Sequence, residues 1–522
     1  MKKKYKYFIV VLLLGFTSCG EDFITIDPES YITEEIYFSN TEELNIALNA
    51  CYAGMRLPAE HEWKFTELRS DNTVMNQIST TSPDNIFYLS YDGFFIDTND
   101  QFLRDFYYYT YVNIKNNNIL LDKMNVNYNG SSIVYEGNDI NATDDDIKDV
   151  ASQACFLRAY HYFNMVRLFG DLFLVDEPLT FEDAKTINRS DTSLIYDFII
   201  ADLLSVIANG NTDSYPANAN GKANAWSAKA LLAKVYLTLG RKSDALPLLS
   251  DIIANSGYGL ESTYADVFSR TNELNREILF TIRYKSGEGN LGSPFTTDWA
   301  PATPTRDLNG TPIFVVSNQG DNAPGQELYD TFDMADARRD FILESRDPST
   351  PRKLFYTKFW YALSVRDDSE HDFPIIRYAD VLLMYAEAAG SSDPNTLTYI
   401  NQVRSRAELT TPLVSTDVDT PAKFDLVLSN ERRWEFMGEN HRWFDILRYG
   451  TTLSTLNAVG IMENHFNVIH PLLYSFYTQN TEDVTLSILL ERVNENSLLL
   501  PIPQIELDTN NTIIINQNAG YN

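Results

Sequence analysis

Two glutamates one helical turn apart, Glu431 and Glu435, have the spacing in this 522-residue chain that most invites chemistry. At i and i+4 they share a helix face, and a pair of carboxylates, one held protonated, can cleave a glycosidic bond. Their surroundings argue for a quieter role. The stretch Asn430–Gly450, NERRWEFMGENHRWFDILRYG, interleaves arginines with these acids, and a nearby guanidinium favours the ionised carboxylate over the proton donor. Arg432 with Glu435, and Arg442 with Asp445, stand at i+3 and are expected to meet along one helix face. Arg158, Arg167, Arg377 and Glu387 are read in the same way, as structural groups. The six histidines (61, 161, 371, 441, 465 and 470) fall without ligand spacing, and no HExxH, GxSxG, Walker or GxGxxG pattern occurs. The chain is therefore read as no enzyme, with no cofactor and no catalytic metal. Asp144-Asp145-Asp146 offers clustered carboxylates for a structural calcium but lacks a calcium-loop pattern, and a solvated charge run is the plainer reading.

Aromatic side chains in loops offer a different chemistry. A sugar ring has an apolar C–H face and polar edges, so a binder needs a flat aromatic surface beside hydrogen-bonding groups. Three stretches supply both. Arg69, Asp71 and Asn72 lead into a segment carrying Tyr91 and Phe94; Trp299 sits in TTDWAPATP; Trp360 and Tyr361 precede the charged run RDDSEHD. None of these groups lies on an obvious periodic face. These eight residues are the candidates for ligand contact.

The elements that must position them are mostly helices. Asn40 with Glu43 has the spacing of an N-terminal capping box before LNIALNACYAGM. Helical periodicity resumes near Phe102, then over 149–168, 192–208, 222–239, 243–255, 375–389, 395–407, 424–438 and 441–448. The pair 222–239 and 243–255 turns at Gly240-Arg241-Lys242, and its alanines allow close helix approach, in the manner of tetratricopeptide repeats. Segments 72–100 and 283–322, rich in Asn, Thr, Gly and Pro, read as loops. The formal charge of −31 argues against nucleic acid as a partner. Cys51 and Cys155 lie in helical segments, where two buried thiols and one disulfide both remain open.

The N-terminus, MKKKYKYFIVVLLLGFTSCGED, joins a lysine-rich start to an apolar run too short to span a bilayer comfortably and a small-residue exit at Cys19. It resembles a lipoprotein signal, with residues 1–18 removed and Cys19 the lipidated first residue. Four further stretches carry a family resemblance: 154–175 (ACFLRAYHYFNMVRLFG and the run to Val175), 373–389 (FPIIRYADVLLMYAEAA), 430–450, and 498–511 (LLLPIPQIELDTNN). In this order they resemble the SusD/RagB family of outer-membrane nutrient-binding lipoproteins. The resemblance implies one domain over 19–522, with a helical part at roughly 36–275 and a loop-rich C-terminal part at roughly 276–522. The implied fold is mostly α, on a tetratricopeptide-like scaffold with long irregular loops and few short strands. It implies a lipid-anchored protein exposed at the cell surface on the outer membrane, capturing glycan for a SusC-like TonB-dependent transporter. A peptide-binding member of the family is the alternative, and a glycoside hydrolase the more distant one.

Overall fold

The computed structural model describes residues 38–75, 84–289, 291–299, 305–306, 312–313, 321–344, 354–361, 363, 365–480, 485–509 and 512–521. Cys19 lies outside them. The first helix, α1 (Thr41–Ala53), opens as its sequence predicts: the Asn40 side chain accepts from the N–H groups of Glu42 and Glu43. The Glu43 carboxylate reaches back one residue further than a capping box requires, to the Ser39 N–H at 2.8 Å. α2 (Arg56–Thr66) and α3 (Asp84–Asp92) follow, then α4 (Gln101–Lys123) and α5 (Asp144–Phe169). Asp144, Asp145 and Asp146 form the first turn of α5, where acids complement the helix dipole, and Asp146 bonds both the Thr143 N–H and hydroxyl. That placement gives the acidic run a structural use at the helix start. From Val150 onward α5 is buried on every face, because α4 and α6 (Thr192–Asn209) pack on it from different sides. α6 is long and apolar enough to cross a membrane, yet here it lies between α5 and α7 (Ala225–Thr238).

Antiparallel pairs then stack. α7 packs on α8 (Lys242–Asn255), α8 on α9 (Tyr378–Ala389), and α9 on α10 (Pro394–Arg406) and α11 (Pro421–Glu435). α12 (Arg442–Thr452) and α13 (Ala458–Asn480) complete the array. Every described sheet has two strands. The longest joins Ile278–Ile282 to Phe373–Arg377, antiparallel, with Arg377 opposite Ile278.

Three expectations are corrected. Residues 72–100 are not one loop, since they hold a short strand (Thr73–Val74) and α3. The helix expected from 375 begins at Tyr378, the apolar residues before it being strand. Within 283–322, read as loop, Phe295–Trp299 forms a short helix. Cys51 and Cys155 are free and buried, and burial pushes the Cys51 thiol up to about 12.

Candidate functional site

The glutamate pair is caged by arginines. Glu431 accepts from Arg338 at 2.6 Å and Arg404 at 3.2 Å. Glu435 meets Arg377 at 2.9 Å, Arg338 at 3.3 Å and, closer still, Arg406. Burial alone would raise the Glu435 carboxyl, but these cations hold it at about 2. A carboxylate so held donates no proton near neutral pH, and catalysis at this pair has no support. The local pairs expected within 430–450 are corrected, however. Arg432 turns from Glu435 to Asp445 (2.8 Å) and Asp380 (2.9 Å), and Arg442 turns from Asp445 to Asp71 (2.6 Å). At i+3 the alternative partners were within reach, but helix packing set better-aligned bidentate ones opposite each guanidinium. Of the other structural groups, Arg158 chelates Asp202 at 2.8 and 3.0 Å, and Glu387 takes Arg448 at 2.7 and 2.8 Å. Arg167 donates to the Phe163 carbonyl at 2.9 Å and to the Asn164 side chain, and lies over the Phe163 and Phe444 rings at 3.7 and 3.4 Å.

This buried charge sets the pH response. In Glu435, as in Asp71 and Asp445, burial raises the carboxyl and arginines outweigh it, leaving each below its ordinary value. For Glu435 that stability is complete above the ordinary 4.5 and is lost as pH falls toward about 2. Glu62 and Glu67 behave oppositely: burial pushes each up to about 7 from 4.5. The folded chain thus binds their protons first and gains stability as pH drops across that interval. The melting temperature is expected to peak near about pH 5. Thermal melts between pH 3 and 8 check this, and stability climbing steadily from 5 to 8 would contradict it.

Six of the eight candidates are packed inside. Arg69 is fully buried, stacked 4.5 Å from the Trp443 ring and 5.3 Å from Phe94, and donates to the Ser497 and Leu498 carbonyls. Asp71 receives both arms of Arg442, at 2.6 and 2.8 Å, and the Asn72 side-chain oxygen accepts from Arg433 at 3.1 Å. Tyr91, on α3, stands edge-on to Phe65 at 5.1 Å. Phe94 turns inward through a left-handed backbone (φ 56°) onto Trp443 at 5.7 Å. Trp299, 2% exposed, packs among Trp63, Phe295, Tyr356, Phe359 and Phe373. Their reading as ligand contacts is corrected: rings and polar groups that find no periodic face locally are buried by contacts distant in sequence. Tyr361 is half-buried beneath Arg270, 3.9 Å from its ring, and its hydroxyl accepts from the Glu370 N–H.

Trp360 alone of the eight lines an open hollow, of about 480 Å³. Tyr264, Phe341 and Leu343 share its apolar wall, while Thr263, Thr357, Asp340 and Glu408 supply hydroxyl and carboxylate edges. The strand pair Ile342–Glu344 and Leu354–Tyr356 holds Leu343 beside the segment leading to Trp360. Aromatic contacts run beneath it from Trp299 to Phe359 (5.7 Å), Phe268 (5.8 Å), Phe341 (6.0 Å) and Tyr264 (5.0 Å). The hollow thus combines ring faces with hydrogen-bonding groups on a rigid aromatic floor. Phe341, Tyr264 and Glu408 carry no local signal of this role, since residues over 140 positions apart close the wall.

Comparison with known proteins agrees with this architecture. Residues 344–521 match the model of the SusD family, and residues 22–237 match a model described as starch-binding associating with outer membrane. SusD-like protein P25 of Formosa agariphila is 26% identical, with 98% of each chain covered. SusD-like protein P2 of the same organism is 27% identical, over 85% of this chain and 90% of that one. Among solved structures, a laminarin binding SusD-like protein superposes with a TM-score of 0.72 at 24% identity, covering 93% of this chain and all of that one. Surface glycan-binding protein A from Bacteroides thetaiotaomicron, in complex with laminarihexaose, gives 0.68 at 20% identity, covering 92% of this chain and 100% of that one. The fold is shared over more than nine-tenths of the chain, and by its two family matches, over 22–237 and 344–521, the chain belongs to the SusD family.

Proposed function

We propose that this chain captures extracellular glycan in the hollow lined by Trp360 and passes it uncleaved to a SusC-like TonB-dependent transporter. In this reading Cys19 carries the lipid anchor and the protein stands on the outer surface of the outer membrane. One observation carries the site: Trp360, Phe341 and Tyr264 lie with Thr357, Asp340 and Glu408 around a single open volume. Ring faces take the C–H face of a pyranose, and the polar groups take its hydroxyls. Two structural neighbours, one laminarin binding and one in complex with laminarihexaose, support laminarin as the first ligand to try. The carboxylates in the hollow, Asp340 and Glu408, are both exposed, without the apolar burial that holds a glycosidase acid protonated. Binding is the better reading of them.

The test is migration of the full chain through native gels cast with laminarin, starch or xylan. Retardation by one of them is expected. Trp360→Ala should weaken it at least about tenfold, since burying one face of an indole exceeds the 1.4 kcal/mol that a factor of ten represents. Retardation unchanged in Trp360→Ala would move the site elsewhere. No retardation by any polysaccharide, with capture of peptide instead, would replace glycan as the ligand.

A further inference from the structure

A second hollow, of about 390 Å³, lies on another part of the molecule, between α4, the segment 173–187 and the C-terminal tail. Its size falls in the range of small-molecule sites, but its chemistry differs from that around Trp360. Tyr107, Tyr108 and Tyr111 contribute rings from α4, and aliphatic side chains such as Val112 and Leu179 close the wall. Tyr108 is 59% exposed and Val112 37%, so apolar surface continues outward from the hollow. Exposed apolar area of this kind, concentrated at a concavity, marks a place where something binds.

The polar groups indicate what. Glu506 lines the hollow half-buried, and no described cation or hydrogen-bond donor meets its side chain. A partly desolvated carboxylate without a partner is costly, and a cation brought by a ligand relieves that cost. Tyrosine faces attract cations as well, and a chain of net charge −31 draws them to its surface. Two lysines stand in the wall: Lys185 is committed to Glu182 at 2.8 Å, and Lys115 is exposed. We infer that this hollow binds a small organic cation, an ammonium group carried on an apolar body, with Glu506 opposite the charge and the tyrosines around the body.

The test uses three molecules sharing one ring: tryptamine (cationic), indole (neutral) and indole-3-acetate (anionic), titrated calorimetrically into the full chain. Tryptamine is expected to bind saturably and at least about tenfold more tightly than indole-3-acetate. Glu506→Gln should remove that preference while leaving indole unchanged, and Tyr108→Ala should weaken all three. Retardation by glycan should persist in Glu506→Gln, which shows the variant folded and separates this site from the Trp360 hollow. Equal affinity for cation and anion, tryptamine binding undiminished in Glu506→Gln, or no saturable binding of tryptamine would each overturn the inference.

Discussion

Replacing Arg377 with methionine is expected to destabilise the protein by about 3–5 kcal/mol, the penalty for removing one partner from a buried ion pair. Arg377 is 1% exposed and serves three carboxylates: Glu277 at 2.6 Å, Glu439 at 2.7 Å and Glu435 at 2.9 Å. Those acids belong to the approach to the strand Ile278–Ile282, to the end of α11 and to the turn after it, so the guanidinium ties three segments distant in sequence to one point. Methionine fills a similar volume but leaves the acids short of a cation. Arg406, Arg338 and Lys358 remain nearby, which keeps the expected loss from growing with every contact removed. Arg377→Lys, retaining charge without the planar fork, should fall between. Arg104, which meets Asp105 at 2.9 Å on the surface, is the control; Arg104→Met should change stability by less than about 1 kcal/mol. Urea unfolding of the four proteins decides the matter. Equal midpoints for Arg377→Met and the parent would show that the network contributes little.

Trp299→Ala is the second large effect, with about 3–5 kcal/mol of stability lost, as for other large aromatics removed from a core. Its ring stands 5.1 Å from Phe295, 5.7 Å from Phe359 and 6.3 Å from Trp63, so no nearby side chain can collapse into the space without leaving its own contacts. The variant should unfold earlier in denaturant, and any weakening of glycan retardation should follow from displacement of the aromatic floor. Trp360→Ala makes the opposite pairing, a smaller loss of stability with binding weakened at least about tenfold. The two tryptophans therefore separate support from contact. A Trp299→Ala protein as stable as the parent but unable to bind would place that ring in the ligand site after all.

Much of this protein can be read locally. The cap at Asn40, the turn at Gly240-Arg241-Lys242 and the helices near 192–209 and 394–406 follow from side-chain chemistry within one or two turns, and the structure keeps them. The family motifs are legible for a similar reason: their arginines, acids and aromatics must all be present together to fill one interior. What the sequence could not decide is which groups meet. Arg432 had Glu435 three residues away and bonded Asp380 and Asp445; Asp71 looked like a ligand contact and became the anchor of Arg442. Tyr91, Phe94 and Trp299 sit in segments with loop composition, yet helices and strands distant in the chain enclose them, and Trp360 stays half-exposed beside a hollow closed by Phe341 and Glu408. Helix propensity and capping are energies of neighbours in sequence, whereas burial and ion pairing are energies of neighbours in space. Only the folded chain determines the second set.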